Sequence, residues 1–270
     1  MRRARFEAGA LQLHGGAVLW WLRHVPMKSP ARSPFSSAPL LAFGAHPSDI
    51  EFGCGGIIAR EVQSGGRAHF VVCARSESGA HGTPAERTAE AKASAAILGA
   101  TLHFVRLGGE SGAETAADTL KLAAIIRRVR PGAMFAPSLV ENQHPDHPRV
   151  GRMVRDAVRQ ARGGGGAKRP SKAHRSVGPL FFYAVSPEAE PAGVLPFLMD
   201  ISDPKVVETW NASMQAHASQ RRSRDLAAYQ LEGAHVNGLR AGVELAQPIY
   251  PDEPLVFDSL APLARCAWRA

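Results

Sequence analysis

Cysteine is scarce in this sequence. Its 270 residues hold three, Cys54, Cys73 and Cys266, far apart and with no CxxC pair. That excludes a disulfide framework and a thiolate zinc site, and suits a reducing cytoplasm. Cys54 and Cys73 fall in apolar surroundings and read as small buried hydrophobes. Long apolar runs are missing too, since no stretch approaches the roughly 20 residues of a membrane span. Aromatic residues make up 7%, and none is interleaved with the basic residues of segment 162–175. This matters because the net charge of +8 is concentrated: residues 1–33 carry +5, residues 162–175 another +5, and the rest −2. A basic excess confined to two segments without stacking rings argues against a nucleic-acid partner. No internal repeat is present.

What is there begins with an apolar N-terminal stretch, "MRRARFEAGALQLHGGAVLWWLRH", interrupted by Glu7 and His14 and followed by no small-residue cleavage site. Residues 1–38 are therefore expected to be an extension outside the fold, with Met1 or Met27 as the start. From residue 39 to 270 the pattern is that of one domain. Short apolar runs at 40–45, 69–74, 102–105, 133–137 and 180–185 alternate with helical patterns at 55–63, 84–98, 115–129 and 148–161. Such alternation predicts an α/β fold, Rossmann-like and three-layered, with a mostly parallel central sheet. Thr83, Pro84 and Glu86 mark the start of the second helix, and Gly99 its end. The segment around 162–178, with four consecutive glycines, reads as a flexible basic insertion. A helical region is expected over about 204–231 and a last strand near 255–258.

In an open parallel sheet, ligands bind beyond the carboxyl ends of the strands. Two polar clusters stand at such ends. The first is His46-Pro47-Ser48-Asp49, after the first strand. The second, "ENQHPDHPRVG", follows the fourth strand and carries Glu141, His144, Asp146 and His147. Imidazole and carboxylate are good ligands for zinc or a similar divalent ion, and three ligands would leave a position open for water. Helix capping by Ser48 or Asp49 and by Asp146 or His147 accounts for one polar residue per loop. It leaves two histidines three residues apart, beside Asp146, without an explanation. A third reading, dinucleotide binding, rests on the "GCGG" after the first strand and fits poorly: it does not form a GxGxxG turn opening a helix, and the second strand lacks a terminal acid for a ribose.

These motifs resemble the LmbE-like, or PIG-L, deacetylase superfamily. "AHPSDIEFGCGG" is similar to its AHPDDxExxxGG motif, and "HPDHPRVG" to its HPDHxxxG motif. The stretch "ARSESGAHGTPAERTAEAKASAAILGA" resembles its GExG…GTPEER…E…AAxxLG region. Later, "DISDPKVVETWNASMQAHASQ" and "GVELAQPIYP" are similar to its DIS…AHxSQ and GxxxAExF segments, with Gln247 at the usual acidic position. The resemblance covers about residues 39–258. It implies a metal-dependent N-deacetylase acting on a small N-acetylated amine or glycoside, such as an acetylated amino sugar. It implies His46, Asp49 and His147 as ligands of one divalent metal, usually Zn2+. His144 takes the place of the histidine that stabilises the oxyanion and protonates the leaving amine, with Asp146 orienting it. Glu51 matches a position that organises the loop. Arg87 falls near the sugar site or on a helix surface, and His217 either reaches the pocket or holds the C-terminal part in place.

Ser48 is the departure. It stands where the family has the aspartate that takes a proton from water, and a hydroxyl is no general base at neutral pH. His144 or another carboxylate takes the proton instead, or a water on Ser48 relays it to Glu51 or Asp146, or the chain binds metal and ligand without turnover. The favoured expectation is a cytoplasmic hydrolase slowed by Ser48, with a homo-oligomer left open; the alternative is a pseudoenzyme of the same family.

Overall fold

The computed structural model describes residues 37–73, 82–108, 115–141, 144–163, 177–221 and 225–258. Most of the expected N-terminal extension, most of the basic insertion and Cys266 lie outside them. The apolar runs form strands β1 (Leu40–Gly44), β2 (Ala68–Val72), β3 (Ala100–Phe104), β4 (Ala133–Pro137) and β5 (Leu180–Tyr183). Two more strands, β6 (Phe197–Asp200) and β7 (Ala246–Pro251), complete a seven-stranded sheet in the order β3-β2-β1-β4-β5-β7-β6. β1 to β5 run parallel, and β7 joins β5 and β6 antiparallel. The expected strand at 255–258 is irregular chain; the ladder ends at Pro251.

The helices are α1 (Asp49–Gln63), α2 (Pro84–Ile97), α3 (Ala116–Val129), α4 (Asp146–Gly163), α5 (Pro204–Gln215) and α6 (Leu226–Ala241). The single helical region expected over 204–231 is thus two helices separated by a 3-10 turn at Ala218–Arg221. Every residue of β1 is buried, because the strand faces a helical layer on each side. Leu40 and Ala42 pack with Ile57 of α1, Ala95 of α2, Trp210 of α5 and Ala234 of α6. Leu41 and Phe43 pack with Leu122 and Ile126 of α3 and Val154 of α4. The result is the expected three-layer α/β architecture. Among the described residues no helix is long and apolar enough to cross a membrane.

The strand order reverses between β1 and β4, which lie side by side with their connections leaving toward opposite edges. A crevice opens at such a switch point. The two polar loops of the sequence follow these two strands.

Candidate metal centre

The first loop turns sharply from β1 into α1. Ser48 adopts φ 94°, ψ −21°, the left-handed region that costs a side chain energy. Its hydroxyl makes no capping bond to the helix. Asp49 reaches back instead, its Oδ2 accepting a hydrogen bond from the His46 backbone amide at 2.8 Å. The second loop enters α4 over Gly151, where a Cβ would collide with the Pro137 carbonyl oxygen; the missing side chain lets α4 approach the end of β4.

Together the loops bring His46, Asp49 and His147 into one cluster, each offering a ligand atom within 4.8 Å of the others. Asp49 Oδ2 lies 3.3 Å from His147 Nε2 and 3.7 Å from His46 Nδ1. Burial raises the Asp49 carboxyl, but His147 and His46 outweigh it and hold the group well below the ordinary carboxylate range. Burial would also lower His46, yet the carboxylates of Asp49 and Asp146 overcome it and hold its pKa above the ordinary value. Asp146, expected on His144, places Oδ2 3.0 Å from His46 Nε2, while its Oδ1 meets Arg149 at 2.7 Å. A carboxylate on Nε2 leaves Nδ1, the nitrogen facing Asp49, as the free lone pair of a neutral His46.

His144 sits at the exposed rim, its ring 5.2 Å from that of His147 and 6.5 Å from that of His46. Desolvation, then the neighbouring His147 and His46, keep its pKa below the ordinary histidine value. Ser48 is buried beside Asp49. Arg87 is buried rather than on a helix surface, and its Nη2 points to the Pro47 carbonyl at 3.5 Å. His217 is fully buried: its Nε2 lies 3.2 Å from Glu51 Oε1 and its ring packs on Phe52. That approach lies between the C-terminal part of the chain and α1. Arg149 on Asp146 and Trp210 behind α1 escape a reading of the sequence, and Gln247, legible only as a departure from the usual acid, escapes it in its role behind α1. For the last two, the glycines of "FGCGG" are the signal, since close neighbours need them.

The donors suit a divalent cation. Two imidazoles and a carboxylate are the usual three protein ligands of a catalytic zinc site, and Asp146 on His46 is the outer carboxylate that such sites use to fix a ring. The buried His147 Nδ1 has no hydrogen-bond partner, so the ring is held by its packing and by the Asp49 contact at Nε2.

The PIG-L family model, described as GlcNAc-PI de-N-acetylase, matches residues 41–158, which include every residue of both loops. Residues 41–158 belong to the PIG-L family. It is 31% identical over 155 residues to the 4-oxalmesaconate hydratase of Pseudomonas putida, covering 52% of this chain and 59% of that relative. The match thus spans under two thirds of the relative's length. A conserved protein of Thermus thermophilus has a structure that superposes with a TM-score of 0.70 at 30% identity, over 85% of this chain and all of the other. The N,N'-diacetylchitobiose deacetylase of Pyrococcus horikoshii shares the fold, with a TM-score of 0.67 at 19% identity over 90% of this chain and 94% of that one.

Proposed function

We propose that this chain is a metal-dependent hydrolase that removes an acyl group from a small N-acylated amine, with an N-acetylated amino sugar as the reference substrate. The observation that carries the reading is the convergence of His46, Asp49 and His147 at the switch point, within the residues matched by a de-N-acetylase model. These three residues would hold one divalent ion, zinc by their donor set. When bound there, the ion supplies Lewis-acid activation of the acyl carbonyl and of a water.

The residues of the chain do the rest. Asp146 holds the His46 ring through Nε2. The Ser48 hydroxyl accepts no proton at neutral pH, so proton transfer falls to the His144 imidazole at the rim. In this reading that ring takes a proton from water and returns it to the departing amine nitrogen. Arg87, buried behind Pro47 with its Nη2 toward the Pro47 carbonyl, supports the first loop from behind.

Ser48 favours a second reading, a protein that binds metal and an N-acyl ligand without turning it over. Single-turnover release of acetate from N-acetylglucosaminides by the zinc-loaded protein separates the two. The hydrolase reading expects acetate above the buffer rate, and Ser48→Asp should raise it at least about tenfold by restoring a carboxylate base. No acetate from either protein would reject it. Addition of water to an unsaturated carboxylate, with no acetate released, would instead place the chain with the hydratase it resembles.

A further inference from the structure

Helix α1 is broken. Cys54 has φ −144°, ψ 15°, so the first turn and the remainder of the helix are two pieces joined at a kink. On either side of a break, the last carbonyls of one piece and the first amides of the next lose regular partners. Two side chains from the C-terminal half take up such groups. Trp210 Nε1 of α5 donates to the Glu51 carbonyl at 2.8 Å, three residues before Cys54. Gln247 Oε1 of β7 accepts from the Ile57 amide at 2.9 Å, three residues after it. Both residues are buried.

The glycines around the break make this grip possible. A Cβ at Gly55 would stand 2.8 Å from Trp210 Cδ1, and one at Gly56 would stand 2.8 Å from Gln247 Oε1. A Cβ at Gly53 would overlap the Tyr183 ring, whose hydroxyl donates to the Phe43 carbonyl in β1 at 2.7 Å. Each of the three glycines therefore seats one large side chain from beyond residue 180. A continuous helix would fix the direction of its own first turn. In a broken one, that direction is set by whatever holds the two ends, and the first turn carries Asp49.

We infer that the C-terminal half aims the metal loop through this break: Trp210 and Gln247 are positioning residues that hold the first turn of α1 so that Asp49 faces His147. The inference uses the proposed metal role of His46, Asp49 and His147 only in its second readout. Gln247→Leu removes the acceptor at similar volume, whereas Gln247→Glu keeps an acceptor oxygen. Ile126→Val, one methylene removed from the core on the other face of the sheet, controls for general loosening.

Amide exchange on the full-length metal-free protein is the first readout, and zinc affinity by competition with a chromophoric chelator the second. Gln247→Leu should speed exchange across residues 49–57 at least tenfold relative to the rest of the chain, and weaken zinc roughly tenfold. Gln247→Glu should stay within about threefold of wild type in both, and Ile126→Val should leave both unchanged. The inference is overturned if Gln247→Leu exchanges like wild type, or if Gln247→Glu falls as far as Gln247→Leu. It is equally overturned if Ile126→Val gives the same pattern. Should Gln247→Leu not fold, Trp210→Phe removes the donor at the other end of the break and is read the same way. A wild-type protein that binds no zinc would sink the proposed function, and the exchange pattern alone would then decide this inference.

Discussion

Helices α2 and α3 begin on threonines that close reciprocal caps with the acid three residues on. The Thr83 amide donates to Glu86 Oε2 at 2.6 Å while the Glu86 amide donates to Thr83 Oγ1 at 3.2 Å. Asp118 does more for α3: its carboxylate accepts from the Thr115 amide and hydroxyl, from the Gly108 amide and from Lys121 Nζ. Helix α1 begins differently. Ser48 stands at its cap in the left-handed region, with no capping bond from its hydroxyl. The acid beside it, Asp49, is turned away from the helix amides toward His46 and His147. Where a helix start serves only the fold, its polar side chains satisfy the backbone. Where it serves the site, they face each other, and the stability given up must come from elsewhere. Here it comes from Trp210, Gln247 and the buried His217–Glu51 contact.

The largest effect that tests this contrast is at Asp49. Asp49→Asn keeps the shape of the side chain but removes the charge that faces two histidines and that the proposed cation would need. Zinc affinity in the chelator competition should fall by at least about a thousandfold, the loss of one anionic ligand of three. A fall of under tenfold would show that Asp49 serves the fold as Asp118 does, and the contrast would fail.

Asp118→Asn makes the opposite expectation. It should leave zinc affinity unchanged and cost about 2 kcal/mol of stability, the scale of hydrogen bonds to a charged group. The cost should also depend on pH. The Lys121 bond, against a smaller opposing effect of burial, and the bonds from Gly108 and Thr115 lower the Asp118 pKa to about 2. A carboxyl depressed in the folded state stabilises above its unfolded pKa, near 4, and loses that contribution as pH falls toward 2. The gap between wild-type and Asp118→Asn urea midpoints should therefore be full at pH 6 and narrow steadily below pH 4. A gap independent of pH would mean that the carboxylate acts by shape alone.

The same contrast explains what can be read in the sequence. β1 and β4 are legible because strands buried on both faces are apolar throughout. The cap of α2 is legible because capping is local, within three residues. Both metal loops are legible because each combines imidazole and carboxylate at a strand end. The sequence pattern starts α1 at residue 55, not Asp49, because Gly53, Gly55 and Gly56 oppose helix formation locally. Only their partners Tyr183, Trp210 and Gln247 justify them, and those contacts span more than 120 residues. β6 and β7 are hidden for a related reason: Pro196 and Pro248 read as breakers, yet Pro196 only precedes the edge strand β6, and Pro248 lies in β7 outside the stretch that pairs with β5. The Asp146–His46 contact joins residues 100 apart and is not readable from a motif that sets Asp146 beside His144.

The smallest effect concerns Ser48 itself. Its φ of 94° is one that glycine adopts freely and serine does not, and its hydroxyl makes no cap bond in return. If the strained start of α1 is held by its surroundings rather than by this side chain, Ser48→Gly should relieve the strain. The expected gain is about 0.5 kcal/mol, because glycine's greater freedom in the unfolded chain offsets part of the relief. Equilibrium urea unfolding of the metal-free protein measures it. A loss of about 1 kcal/mol or more would show instead that the buried hydroxyl supports the loop, and that α1, like α2 and α3, depends on its own first polar residue.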